Sequence, residues 1–140
     1  MKTAALIREA KKRYPFLVAT EIDITAGYGI HGATGYKHAS NSIYLDLKEL
    51  REAYGTSRYL GRFGNIKTFE DFVLAVLLHE IAHVQQFQNG DPHELAVEYR
   101  TVFEAGTHDE NLLEVVADQW ARQEFKKWKG LNGADTALPN

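Results

Sequence analysis

The chain contains no cysteine. Disulfides, a thiol nucleophile and thiolate metal ligands are therefore excluded, and any zinc site must be built from His, Asp or Glu. Long hydrophobic runs are missing as well. The longest is the seven residues Phe72 to Leu78, far short of the ~20 that cross a bilayer. The N-terminal MKTAALIREAKKRY turns charged at Arg8 and lacks the apolar stretch of a secretory signal, so the expected location is cytoplasmic. A phage protein, or one exported by a signal-independent route, would carry the same features. Nor is there an excess of positive charge. The formal net charge is −3, which gives no electrostatic case for nucleic acid or an anionic membrane as a partner.

What is present reads as one globular domain. The 140 residues are 44% apolar and 25% charged, ordinary values for a chain that buries a single core. That domain is expected over residues 1–130, with 131–140 as a frayed tail. No internal repeat or linker divides it, and oligomeric state is not legible.

Taken in order, the chain reads as α+β. Thr3 to Tyr14 predicts a short amphipathic helix, with Ala4, Leu6, Ile7 and Ala10 inward, stopped by Pro15. Phe16 to Thr25 is β-branched and partly alternating, which predicts a strand. Gly35 to His38 and Ser42 to Leu47 predict a hairpin turned near Ala39-Ser40-Asn41. Ile43, Leu45 and Leu47 alternate with Tyr44 and Asp46, so this strand has one buried face. Lys48 to Tyr54 predicts a short helix. Gly55 to Lys67 is glycine-punctuated and basic, and is expected to be a mobile loop. Asp91-Pro92-His93-Glu94 is a strong helix start, for a helix ending near Ala105. A last helix is expected to open at Thr107 to Asp109 and to reach Lys129, stopped by Gly130.

The chemistry concentrates in FEDFVLAVLLHEIAHVQQFQN, Phe69 to Asn89. Thr68 with Asp71 three residues on predicts the helix start, and Gly90 a left-handed stop. Phe72 to Leu78 is apolar on every face, the mark of a buried helix. From its end emerges His79-Glu80-Ile81-Ala82-His83, an HExxH spacing that chance would give in roughly one in fifty chains of this composition. On a helix, positions i and i+4 lie about 40° apart around the axis, so His79 and His83 project side by side and can grip one metal ion. Glu80 lies about 60° to the side of His83, where a carboxylate reaches a metal-bound water without being a ligand. Two histidines on a buried helix can also be satisfied core residues, so the rest of the site decides.

Further on, Glu114-Val115-Val116-Ala117-Asp118-Gln119-Trp120-Ala121 places Glu114 and Asp118 one turn apart on a face with Ala117 and Ala121. Leu112, Leu113, Val116 and Trp120 are expected to cover the other side. Two inward carboxylates need a positive partner, and a divalent metal on His79 and His83 provides it. Glu114 is the favoured third ligand. Asp118 is expected to accept from the outer ring N–H of a ligand histidine and fix its tautomer. Asp109, His108, His93 and Asp118 itself compete for the third position.

HExxH followed by ExxAD resembles the gluzincin metallopeptidases. The apolar lead-in and the tail ExxA(N/D)x(F/W)A are similar to the compact ImmA/IrrE-like metallopeptidases. The matching positions are His79, Glu80, His83, Glu114, Ala117, Asp118, Trp120 and Ala121, within a similarity covering roughly residues 66–127. Other zincins fit worse. Gln86 and Asn89 stand where a metzincin needs glycine and a ligand, and Leu112-Leu113 stand where an aspzincin has Tyr-Gly. The resemblance implies a minimal zincin-like domain. It has a small antiparallel or mixed sheet, an HExxH helix, and a C-terminal helix supplying the third ligand. It also implies one Zn2+ per chain and a protein or peptide substrate, cut with Glu80 as general base. An edge strand, Ser42 to Leu47 or Gly35 to His38, would align that substrate. The oxyanion donor is open among His108, Tyr99, His93, His38 and Tyr36. Two other classes remain: a zinc-bearing structural or interaction module, and a zinc hydrolase of a non-peptide bond.

Overall fold

The structure is a computed structural model that describes residues 2–26, 34–54, 56, 62–63, 66–90 and 112–130. The helix expected from Asp91 to Ala105, the start of the last helix at Thr107 to Asp109, the glycine-rich 27–33 and the tail 131–140 lie outside them. The described elements are α1 (Thr3–Arg13), β1 (Glu21–Thr25), β2 (Gly35–Lys37), β3 (Ser42–Asp46), α2 (Leu47–Ala53), α3 (Phe69–Asn89) and α4 (Leu112–Trp128). They make an α+β arrangement around a small mixed sheet.

Alternation built β3. Ile43 and Leu45 are buried, while Tyr44 and Asp46 are partly exposed. The sheet order is β1-β3-β2, with β1 parallel to β3 (Ile22 opposite Ile43) and β2 antiparallel to it (Tyr36 opposite Ile43). The predicted hairpin is therefore present. Its last strand, however, is central, so Ser42 to Leu47 is not an edge. Gly35–Lys37 is an edge strand among the described residues. The predicted strand from Phe16 is corrected too. Proline's fixed φ opens a 3-10 turn over Pro15–Leu17, Leu17 is buried under it, and β1 begins at Glu21.

One residue ties the sheet together. Asn41 takes φ 49° at the end of the β2–β3 turn, a left-handed conformation that asparagine tolerates better than most residues. Its Oδ1 accepts from Thr20 Oγ1 and Tyr36 OH, each at 3.1 Å. Its Nδ2 donates to Ala19 O at 3.1 Å, and its carbonyl accepts from Glu21 N at 3.1 Å. Asp46 then closes β3 and caps α2, accepting from Lys48 N at 2.9 Å and Glu49 N at 3.3 Å.

The α3 helix is the core. Thr68 Oγ1 accepts from Asp71 N at 3.1 Å, the expected start. Every residue from Phe72 to Val84 is buried, and each large aliphatic side chain so placed contributes about 1.5–3 kcal/mol. The helix ends at Asn89 as expected, but Gly90 has φ −122° and provides no left-handed cap. That device appears at the end of α4, where Gly130 has φ +69°.

The α4 helix packs along α3, and α1 packs against the core. Leu6 and Ala10 of α1 face the core, whereas Ala4 is exposed because it lies in the first turn, beyond the packed surface. The α4 helix buries Glu114, Ala117, Asp118, Ala121 and Phe125. It runs antiparallel to α3: Lys129 Nζ reaches Asp71 Oδ1 at 3.0 Å at one end, and Gln86 Nε2 donates to Leu113 O at 3.0 Å at the other. Fully buried Ala117 and Ala121 allow the close approach. Val116 points away and is 51% exposed, so it does not share a covered face with Trp120, which packs on the core. Tyr14 locks α1 to α4, donating to Glu124 Oε1 at 2.9 Å and accepting from Trp128 Nε1 at 2.8 Å. Burial raises its phenol above the usual tyrosine range, with the contact to Glu124 adding to the effect.

Candidate metal centre

The antiparallel register of α3 and α4 brings one turn of each face to face. His79 and His83 project from α3 with ring centroids 4.7 Å apart, edge to face. Glu114 reaches them from α4: Oε1 lies 2.6 Å from His83 Nε2, and Oε2 lies 3.4 Å from His79 Nε2. The two Nε2 atoms are 3.1 Å apart. All three residues are buried, and one ligand atom of each falls within 4.8 Å of the others.

The outer nitrogens face oxygen. His79 Nδ1 lies 2.8 Å from Asp118 Oδ1, and His83 Nδ1 lies 2.8 Å from Gln86 Oε1. Neither oxygen can donate a proton unless the carboxyl is protonated, so each Nδ1 carries the hydrogen and each Nε2 presents a lone pair inward. Two lone pairs and a carboxylate then converge on one point, a set of acceptors that only a cation can satisfy. In the metal-free chain a proton serves. Burial alone would keep His79 neutral, but its contacts with Asp118 and Glu114 and the charges of Glu80 and Glu114 outweigh burial and push its pKa up to about 10. Burial pushes Glu114 upward, yet its contacts with His79 and His83 win and hold it well below the usual carboxylate range.

The donor set fits a metal. Two neutral imidazoles and a carboxylate are an established zinc ligand combination that leaves a fourth position open. Ligands at ~2.0–2.1 Å in a tetrahedron stand about 3.3 Å from each other. The two Nε2 atoms, 3.1 Å apart, already stand near that spacing, while Glu114 offers a different oxygen to each histidine, Oε1 to His83 and Oε2 to His79, and must shift to place one of them on the ion.

The other residues singled out from sequence are differently placed. Asp118 sits behind His79, on the side away from Glu114's reach to Nε2. Glu80 is buried next to His79, which feels its charge, and no hydrogen bond to its carboxylate occurs among the described residues. Tyr36 donates its hydroxyl to Asn41 and is raised above the usual tyrosine range by burial. His38 is exposed and stacks on Phe87 at 4.9 Å. The remaining candidates, His93, Tyr99, His108 and Asp109, lie outside the described residues.

Three contributors escaped the sequence reading. Gln86 is three residues from His83 on the same helix face, and that spacing was the available signal. Arg62 had none. Its Nη2 lies 3.3 Å from Asp118 Oδ1 and 3.9 Å from Glu114 Oε2, while Arg122 Nη1 donates to the Arg62 carbonyl at 2.5 Å. Beside it, buried Phe63 meets His79 edge-on at 5.9 Å. Arg62 and Phe63 both belong to the segment expected to be a mobile loop, and both pack against the centre.

A search of protein-family models, of curated proteins and of solved structures found no match to this chain. The class defined by fold and site is thus an α+β protein with a buried His-His-Glu group able to hold a metal ion.

Proposed function

We propose that the protein is a zinc-dependent peptidase of the gluzincin type, resembling the compact ImmA/IrrE-like enzymes. The observation that carries the reading is the convergence of His79, His83 and Glu114 on one point, with Glu80 beside it and without a described hydrogen-bond partner. His79, His83 and Glu114 would hold the ion, and Asp118 orients His79 through Nδ1. A zinc ion held by these residues would supply Lewis-acid chemistry, lowering the pKa of water and polarising a carbonyl. Glu80 takes the proton of the attacking water and delivers it to the departing amine, so one carboxylate serves both halves of the reaction. Burial excludes bulk water, which strengthens each of these charge interactions.

Glu80→Gln tests it. The amide keeps size and hydrogen bonding but cannot accept the proton. Zinc content and thermal stability should stay at wild-type values, and peptide hydrolysis should fall by ~10²–10⁴-fold. Equal cleavage by wild type and variant would remove Glu80 as the base. A second reading, a zinc-stabilised structural or interaction module, draws on the burial of all three ligands. Zinc-loaded wild type that cleaves nothing in a broad peptide library would favour it. Cleavage of esters or other non-peptide amides alone would favour a different hydrolase.

A further inference from the structure

We propose that Gln86 is a positioning residue of the metal centre, selecting the Nδ1–H tautomer of His83 and bracing that ligand against the main chain beside Glu114. The proposal rests on the metal-binding reading above. Gln86 Oε1 lies 2.8 Å from His83 Nδ1, and Gln86 Nε2 donates to Leu113 O at 3.0 Å. A primary amide has one acceptor end and one donor end. The Leu113 carbonyl can only accept, so it fixes which end faces it. The reversed amide would set oxygen against oxygen at Leu113 and an N–H against His83 Nδ1. His83 would then have to carry its hydrogen on Nε2, pointing at His79 Nε2 and Glu114 Oε1, which lie 3.1 and 2.6 Å away. That hydrogen would occupy the place of the ion. The backbone of α4 thus dictates the amide orientation, and the amide dictates the nitrogen that faces the metal.

The same side chain spans both ligand-bearing helices. It stands one turn from His83 on α3 and touches the residue preceding Glu114 on α4. His79 receives its orientation from the charged Asp118, within the same buried network as Arg62. His83 receives it from a neutral amide, so the two ligand histidines are held by different chemistry.

The test starts with zinc-loaded wild-type protein labelled with ¹⁵N. Long-range ¹H–¹⁵N spectra should show His83 coordinated through Nε2, with an Nδ1 proton that exchanges much more slowly than the ring protons of exposed His38. Coordination through Nδ1, or exchange as fast as at His38, overturns the proposal without any variant. Gln86→Leu should then speed that exchange and weaken zinc binding ~10–100-fold in chelator competition, with the metal-free protein still folded. Should the leucine variant not fold, Gln86→Glu keeps an acceptor for His83 but loses the donor to Leu113, and zinc affinity should fall between the two. Wild-type affinity in the folded variants overturns the proposal. Failure of wild type to bind zinc would instead sink the metal centre itself, so the two failures are distinct.

Discussion

At the scale of single residues, the centre separates the three side chains that converge, His79, His83 and Glu114, from those that hold them. Glu114→Ala removes an inward oxygen and should abolish zinc retention. Asp118→Ala leaves all three inward atoms in place and should weaken retention about 10–100-fold. Metal analysis after dialysis against a weak chelator distinguishes the two, and an empty site in Asp118→Ala with a filled one in Glu114→Ala would reverse the roles. The placement of these side chains was legible because helical spacing is a strict ruler. The i, i+4 placement of His79 and His83, and of Glu114 and Asp118, follows from 3.6 residues per turn wherever a helix forms. Arg62 was illegible for the opposite reason. It approaches Asp118 across 56 positions of sequence, from a segment with no periodicity, and no local rule ties the two.

The elements show the same division. The apolar run from Phe72 to Leu78 announced a buried helix, and all of it is buried. Leu77→Ala there should cost ~2–5 kcal/mol in chemical denaturation, since the cavity opens in the middle of the core. A loss below ~1 kcal/mol would mean that the helix repacks. Strand order was not legible. Alternation of Ile43 and Leu45 specifies a buried face but says nothing about which edge carries a neighbour, and β1 pairs with β3 in parallel across the chain. Nor was the part played by Asn41. Asn41→Ala loses its side-chain hydrogen bonds and strains a positive φ, and Asn41→Gly loses the bonds but relieves the strain. Both should destabilise, alanine more than glycine by ~1 kcal/mol. Equal losses would show that the hydrogen bonds alone matter.

For the molecule as a whole, stability should respond to pH through Tyr14. Its folded pKa is raised, so its contribution is complete below the ordinary tyrosine value of about 10 and declines as pH climbs beyond it. The stability advantage of wild type over Tyr14→Phe should therefore shrink between pH 9 and 11, roughly the range where unfolded tyrosine ionises. A constant gap would show that the phenol ionises alike in both states. Zinc should act on the whole fold as well. At 100 times its dissociation constant, a ligand bound only by the folded state adds about 2.7 kcal/mol, readable as a higher melting temperature that a chelator reverses.

The antiparallel meeting of His83 with Glu114 has a topological consequence. An ion held by both would close segment 84–113 into a ring, a cross-link that needs no cysteine. Unlike a disulfide, such a closure exists only while the chain is folded, so it stabilises through the binding free energy of the ion and not by restricting the unfolded chain. The ion would then be a clasp as well as a reagent. A single backbone cut within 91–111 should leave two fragments that travel together on a sizing column and part when the metal is stripped.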